Sequence, residues 1–241
     1  MVHDGAVRYE SNDGVATITI DRPAKKNAIN RDVSEALEAA WLRFDSGDDR
    51  VAVITGAGGD FTAGIDVSNP PRNPYWAPNL GISTDKPVIA AIEGWCIGAG
   101  MMLLQQVDLA ISSRDAKFRY PEAKLGLSRG LAAGIATKVP YKVAMEILLL
   151  GRVHGPESFL RAGFINEIVD SADTLSIAQA WAAEIAAADL DVVRYIKRGI
   201  LDLVPRGPGE ESAHTQWVAD QLPGNIRLSG GEISVDTLRA V

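Results

Sequence analysis

The chain has 241 residues, 46% of them hydrophobic and 23% charged, with a formal net charge of −7. Such a length and balance allow one main domain with a full core and exclude a disordered or fibrous chain. The acidic excess excludes a broad nucleic-acid or anionic-membrane surface, which needs a basic face, while still admitting an anionic ligand at a local basic spot.

A single cysteine, Cys96, rules out an internal disulfide, and no charged start leads into an apolar signal segment. A cytoplasmic, reducing setting is expected. Apolar runs such as Lys86-Pro87-Val88-Ile89-Ala90-Ala91-Ile92 fall short of the ~20 residues that a membrane helix needs.

In chain order, β-branched alternation predicts a strand over 15–20, stopped by Asp21-Arg22-Pro23. Helical spacing of Val33, Leu37, Ala40, Trp41 and Phe44 predicts a helix over 31–44. Short buried strands follow at 51–56, 88–92 and 109–112, and near-continuous apolar strands between helices imply a layered α/β core. Residues 67–85 hold Pro70, Pro71, Pro74 and Pro78 beside Tyr75 and Trp76, which predicts a loop serving as a lid. Beyond residue 130, helices are expected over 132–150, 155–162 and 171–203, while Gly and Pro leave the tail from 205 unassigned.

Two glycine-rich turns stand out. Asp60-Phe61-Thr62-Ala63-Gly64-Ile65-Asp66 follows one strand, and Gly94-Trp95-Cys96-Ile97-Gly98-Ala99-Gly100 follows the next and leads into a helical run over 101–107. Small residues leave the Ile65 and Ala99 amides approachable, and two backbone donors converging on one oxygen stabilise an oxyanion by about 3–4 kcal/mol each. The alternative is that glycine and alanine merely allow close helix–sheet packing here. A third stretch, Phe118-Arg119-Tyr120-Pro121-Glu122-Ala123-Lys124-Leu125-Gly126, offers Glu122 either as a buried proton shuttle or as a solvated partner of Lys124 or Arg129.

The order of these motifs, with Lys25-Lys26-Asn27-Ala28 before them and Leu150-Gly151-Arg152 through Val169 after them, resembles the enoyl-CoA hydratase/isomerase (crotonase) superfamily over residues 10 to about 200. The resemblance implies a spiral of ββα repeats, here a core over 1–195, with a helical C-terminal trimerisation region over 196–241. It also implies a homotrimer or dimer of trimers acting on acyl-CoA thioesters. Coenzyme A would arrive as part of the substrate, with no permanently bound cofactor.

Carried over by motif, Ile65 and Ala99 would supply the oxyanion amides and Glu122 the acid/base. Lys25 and Lys26 would pass the CoA nucleotide, and Ala28, Gly64, Asp66, Trp95, Gly98, Met102 and Arg129 would join them in binding the substrate. Met102 stands where the family's hydratases carry a first glutamate, and Gly130 where some relatives carry an aspartate. With one carboxylate left, the expected reaction is a double-bond shift, ahead of hydration or retro-Claisen C–C cleavage. Arg129 would hold a substrate carboxylate or neutralise Glu122.

Two readings of other classes stand beside this one. Gly126-Leu127-Ser128-Arg129-Gly130 fits the serine-hydrolase elbow, with Asp202 and His214 in the required order, although a polar segment precedes it. Met102 would equally suit a crotonase-like binding protein without chemistry. His3, His154 and His214 lack ligand spacing, so no metal is expected, and Gly56-Ala57-Gly58-Gly59 completes no dinucleotide fingerprint.

Overall fold

A computed structural model of the chain describes residues 6–126 and 131–221. The first half contains β1 (Val7–Asn12), β2 (Val15–Ile20), α1 (Arg31–Ser46), β3 (Val51–Gly56), β4 (Val88–Ile92), β5 (Trp95–Ile97) and α2 (Ala99–Gln105). The second contains β6 (Leu109–Ser113), β7 (Lys117–Arg119), α3 (Glu122–Leu125), α4 (Tyr141–Met145), β8 (Val153–His154), α5 (Pro156–Ala162), β9 (Glu167–Val169), α6 (Thr174–Ala186), α7 (Leu190–Leu201) and α8 (Pro208–Gln221).

Six strands form one sheet in the order β1-β2-β3-β4-β6-β9, parallel except for the β1–β2 hairpin. All six residues of β2 are buried because both faces of the sheet are covered. The stripe Val33, Leu37, Trp41 and Phe44 of α1 packs on one side, and Ala178, Ala182 and Ala186 of α6 on the other. Each large apolar side chain so buried contributes about 1.5–3 kcal/mol. The Asn30 side chain caps α1 by accepting from Val33 N at 2.9 Å.

A smaller sheet, β5-β7-β8, lies beside the first, and Thr62 adds an isolated parallel bridge to Cys96. The chain therefore climbs in turns: a strand of the large sheet, a short strand of the small one, then a helix. β4-β5-α2 and β6-β7-α3 are two such turns. Parallel pairing sends successive strands out of the same end of the small sheet, so the residues following Thr62, Cys96 and Phe118 arrive together.

The structure corrects several expectations. Residues 75–81 of the expected lid pack inward into the core: Trp76 and Leu80 are 2% and 1% exposed, and Trp41 Nε1 donates to Trp76 O at 2.9 Å. The helix expected over 132–150 is broken at Pro140, which restricts the residue before it, into a 3-10 stretch Leu131–Thr137 and α4 with a π turn at Glu146–Leu150. The run over 171–203 divides where Asp189 caps a new helix, its side chain accepting from Val192 N. Helix α7 runs across the expected 195/196 boundary, and the unassigned tail supplies α8. Among the described residues, no helix is long and apolar enough to cross a membrane.

Candidate active site

The frame of the site is made of backbone. Thr62 N donates to Trp95 O at 2.9 Å and Ile97 N to Thr62 O at 3.0 Å, which joins the first glycine turn to β5. Gly98 N donates to Arg119 O at 3.0 Å, joining the second turn to the strand that leads to Glu122. On the opposite flank, Ala63 N donates to Lys26 O and Ile29 N to Gly64 O, both at 2.8 Å, and Asp66 N returns to Ile29 O at 2.9 Å.

That last pair fixes the direction of the Ile65 amide. Gly64 O and Asp66 N clasp Ile29 from either side, and in a parallel bridge the central residue points its own N–H away from that partner. Ala99 is the first residue of α2, where an N–H has no intrahelical acceptor. The turns touch: a Cβ placed on Gly64 (φ +91°) would lie 2.8 Å from Ile97 O and 3.5 Å from Ala99 N. Only glycine adopts that backbone and leaves that space.

Glu122 closes the arrangement. A Cβ placed on Gly98 (φ +51°) would stand 2.7 Å from Glu122 Oε1, so the carboxyl group lies against the second turn. Its Oε2 is buried, with no hydrogen-bond partner among the described residues. Burial is the dominant cause that pushes its pKa from the ordinary carboxylate range to about 7, opposed by its own backbone N–H. A carboxyl of that pKa, lying against the second glycine turn, is equipped to carry a proton near neutral pH.

Of the other expected site residues, Lys25, Lys26 and Ala28 lie on the loop clasped to the first turn, and Lys26 Nζ pairs with Asp60 Oδ2 at 3.2 Å. Asp66 faces a different task. Its carboxylate accepts from Arg22 Nη1 at 2.9 Å and from the Ser68 hydroxyl, and these bonds, that of Ser68 first, hold its pKa down at about 2. Trp95 starts β5 with Lys117 Nζ 5.3 Å from its ring centroid, and Met102 sits half-buried against the core one turn into α2. Arg129 and Gly130 lie outside the described residues.

The serine-hydrolase reading lacks the strand that has to precede its elbow. The helical turn α3, not a strand, leads into Gly126. His214 Nδ1 stands 3.1 Å from Gly81 O and its ring stacks on Trp217, while Asp202 ends α7. Ser128 itself is outside the described residues.

Sequence reasoning named the motifs but missed two residues that hold them. Asn27, fully buried at φ +56°, accepts from Arg22 N through Oδ1 and donates through Nδ2 to Ala57 O and Asp60 O. Thr62, also fully buried, donates its hydroxyl to Asn27 O at 2.7 Å and accepts from Gly64 N at 3.1 Å. Both lie within those motifs, and the available signal was Thr62 as a polar side chain between Phe61 and Ala63.

Residues 10–204 match the enoyl-CoA hydratase/isomerase family model. A mevalonyl-coenzyme A hydratase from Beauveria bassiana is 32% identical over 223 residues, covering 83% of this chain and 79% of that protein. An (E)-benzylidenesuccinyl-CoA hydratase from Thauera aromatica is 33% identical over 227 residues, covering 88% and 89%. Among solved structures, a probable enoyl-CoA hydratase/isomerase from Mycobacterium abscessus superposes with a TM-score of 0.76 at 35% identity, covering 98% of this chain and 94% of that one. With the model covering most of its length and such relatives beside it, this chain belongs to the enoyl-CoA hydratase/isomerase family.

Proposed function

We propose that the chain binds an enoyl-CoA thioester and moves its double bond, with Glu122 as the acid/base and the Ile65 and Ala99 amides as the oxyanion hole. The observation that carries this reading is the placement of one carboxyl group, its Oε2 buried and without a partner among the described residues, against the second of two touching amide turns. In the first step the Glu122 carboxylate takes a proton from the carbon next to the thioester carbonyl. The electron pair moves onto the thioester oxygen, where the two N–H groups stabilise the charge. In the second, the protonated Glu122 returns that proton to the far carbon of the old double bond, and the enolate electrons collapse into the new one. No atoms are gained or lost.

Met102 supports a bond shift over hydration, because a thioether moves no proton and one carboxyl group has to act alone. Hydration is the second reading, favoured by the activities for which the relatives above are named. A panel of 2-enoyl-, 3-enoyl- and 3-oxoacyl-CoA thioesters followed by mass spectrometry separates the outcomes: bond migration leaves the mass unchanged, hydration adds water, and C–C cleavage splits the chain. Inertness toward the whole panel would favour a binding protein.

Replacing Glu122→Gln is expected to lower turnover by about 10²–10⁴-fold while thioester affinity stays within a few-fold. Unchanged turnover overturns the assignment. Since the base must be ionised, kcat/KM rises with pH and levels off above about 7. The folded-state pKa lies above the unfolded one, so this group's contribution to stability is present at low pH and lost as pH rises through about 7. The Gln variant therefore gains stability relative to the wild type between about pH 5 and pH 8, readable as a shift in Tm.

The same reading extends to assembly as a homotrimer or dimer of trimers. Helix α7 supports it by exposing Val192, Tyr195, Ile196 and Ile200 along one stripe, continued by Leu203.

A further inference from the structure

We infer that Thr62 is the positioning residue of the oxyanion hole, setting through its hydroxyl where the Ile65 amide points relative to that of Ala99. The inference rests on the two-amide reading above and goes beyond it by assigning a residue that touches no substrate.

Thr62 is fully buried and is tied to three separate segments. Its backbone makes both bonds to β5, Thr62 N to Trp95 O and Ile97 N to Thr62 O, and these place the start of the second turn. Its hydroxyl acts in two directions at once, donating to Asn27 O at 2.7 Å and accepting from Gly64 N at 3.1 Å. Gly64 N belongs to the residue immediately before Ile65, at φ +91°, so the bond to Thr62 Oγ1 restrains the torsions that aim the Ile65 N–H. The methyl group lies under the first turn of α2: a Cβ placed on Gly100 would stand 2.7 Å from Thr62 Cγ2.

One side chain thus fixes both amide-bearing segments. A hydroxyl is required because a single atom has to donate to one carbonyl and accept from one amide, which neither a thiol nor a methyl group does well. Burial matters equally. With water excluded from Thr62, nothing replaces a lost partner at Gly64 N, and the turn has to move to find one.

The test compares Thr62→Val, which keeps the shape and removes the hydroxyl, with Thr62→Ser, which keeps the hydroxyl and removes the methyl. Two readouts separate positioning from folding: the split between kcat and KM, and the infrared carbonyl stretch of bound, carbonyl-labelled butanoyl-CoA, a saturated thioester that does not turn over. In the wild type the stretch is expected to shift to lower frequency than in solution. In Thr62→Val the shift is expected to shrink, with kcat down about 10–100-fold and KM within about three-fold. Thr62→Ser is expected to retain the shift and most of kcat.

A folded Val variant with wild-type shift and kcat overturns the inference, as does a Ser variant that loses as much as Val. Where Val fails to fold, Thr62→Cys takes its place, since a thiol is a poor acceptor, and a wild-type shift in that variant is equally fatal. No shift in the wild type itself would refute the oxyanion hole, and the role of Thr62 with it. A wild-type shift that survives loss of the hydroxyl refutes Thr62 alone.

Discussion

The segments 22–29, 60–66 and 94–100 and the helices after residue 187 are held in opposite ways. The first three are tied to one another by backbone amides and carbonyls, supplemented by the buried side chains Asn27 and Thr62. The helices are anchored by side chains: Lys197 Nζ reaches Lys86 O and Asp108 Oδ2, and Glu210 Oε2 accepts from Gly207 N while its Oε1 accepts from Gln106 Nε2. They also leave an apolar stripe in solvent. Among the described residues, the site frame is tied together by bonds within this chain, whereas α7 leaves an apolar face exposed. The proposed catalytic geometry and the proposed assembly are therefore expected to be separable by mutation.

Among tests of this contrast, the largest expected effect comes from adding one methyl group inside the frame. Gly98→Ala would force an L-residue to φ +51°, ψ −102° and bring its Cβ 2.7 Å from Glu122 Oε1. Backbone strain and displacement of the carboxyl group act together, and kcat is expected to fall about 10²–10³-fold, comparable with loss of an oxyanion donor. Repeating the change in a Glu122→Ala background isolates the second cause. Additive losses of residual activity would mean that carboxyl and turn do not meet, which breaks the picture of a frame held at one point.

A smaller effect is expected on the helical side. Ile196→Asp places a charge in the middle of the α7 stripe, and a residue at the centre of an interface commonly costs about 2 kcal/mol or more when lost. Sedimentation and light scattering should show the wild type as trimers or hexamers and the variant shifted toward monomer, with activity per site within a few-fold. A wild type that is already monomeric would mean that the stripe has some other occupant. A dissociated variant with no activity would mean that the site is not complete within one chain.

The same contrast explains what was legible in the sequence. Strands β2, β3, β4 and β6 and helix α1 could be read because each is long enough for its burial pattern to repeat. β5, β7, β8 and β9 have three residues or fewer and carry no period, so the second sheet was invisible except through the resemblance. Helix α8 went unassigned because its apolar residues follow no stripe and it opens on Pro208-Gly209. At the site, glycines announced the two turns and Glu122 announced itself beside Pro121. Thr62 and Asn27 did not, because Thr62 bonds across 35 residues of sequence and Asn27 across 33. Residues 67–85 read as a lid because prolines dominate there, and only the packed structure shows Trp76 and Leu80 turned inward.

The smallest expected effect sharpens the comparison by dividing a single residue. The Lys26 backbone belongs to the frame, its carbonyl accepting from Ala63 N at 2.8 Å, while its side chain is 59% exposed and pairs with Asp60. Exposed pairs of this kind are worth about 0–1 kcal/mol. Lys26→Ala leaves the carbonyl in place and removes only the side-chain charge, which the proposed function assigns to the CoA nucleotide. The KM for an acyl-CoA is therefore expected to rise about two- to five-fold at low salt and to converge on the wild-type value at high salt, with kcat unchanged. A fall in kcat that salt does not diminish would mean that the frame had shifted with the side chain, and that the boundary between positioning backbone and steering charge does not run through Lys26.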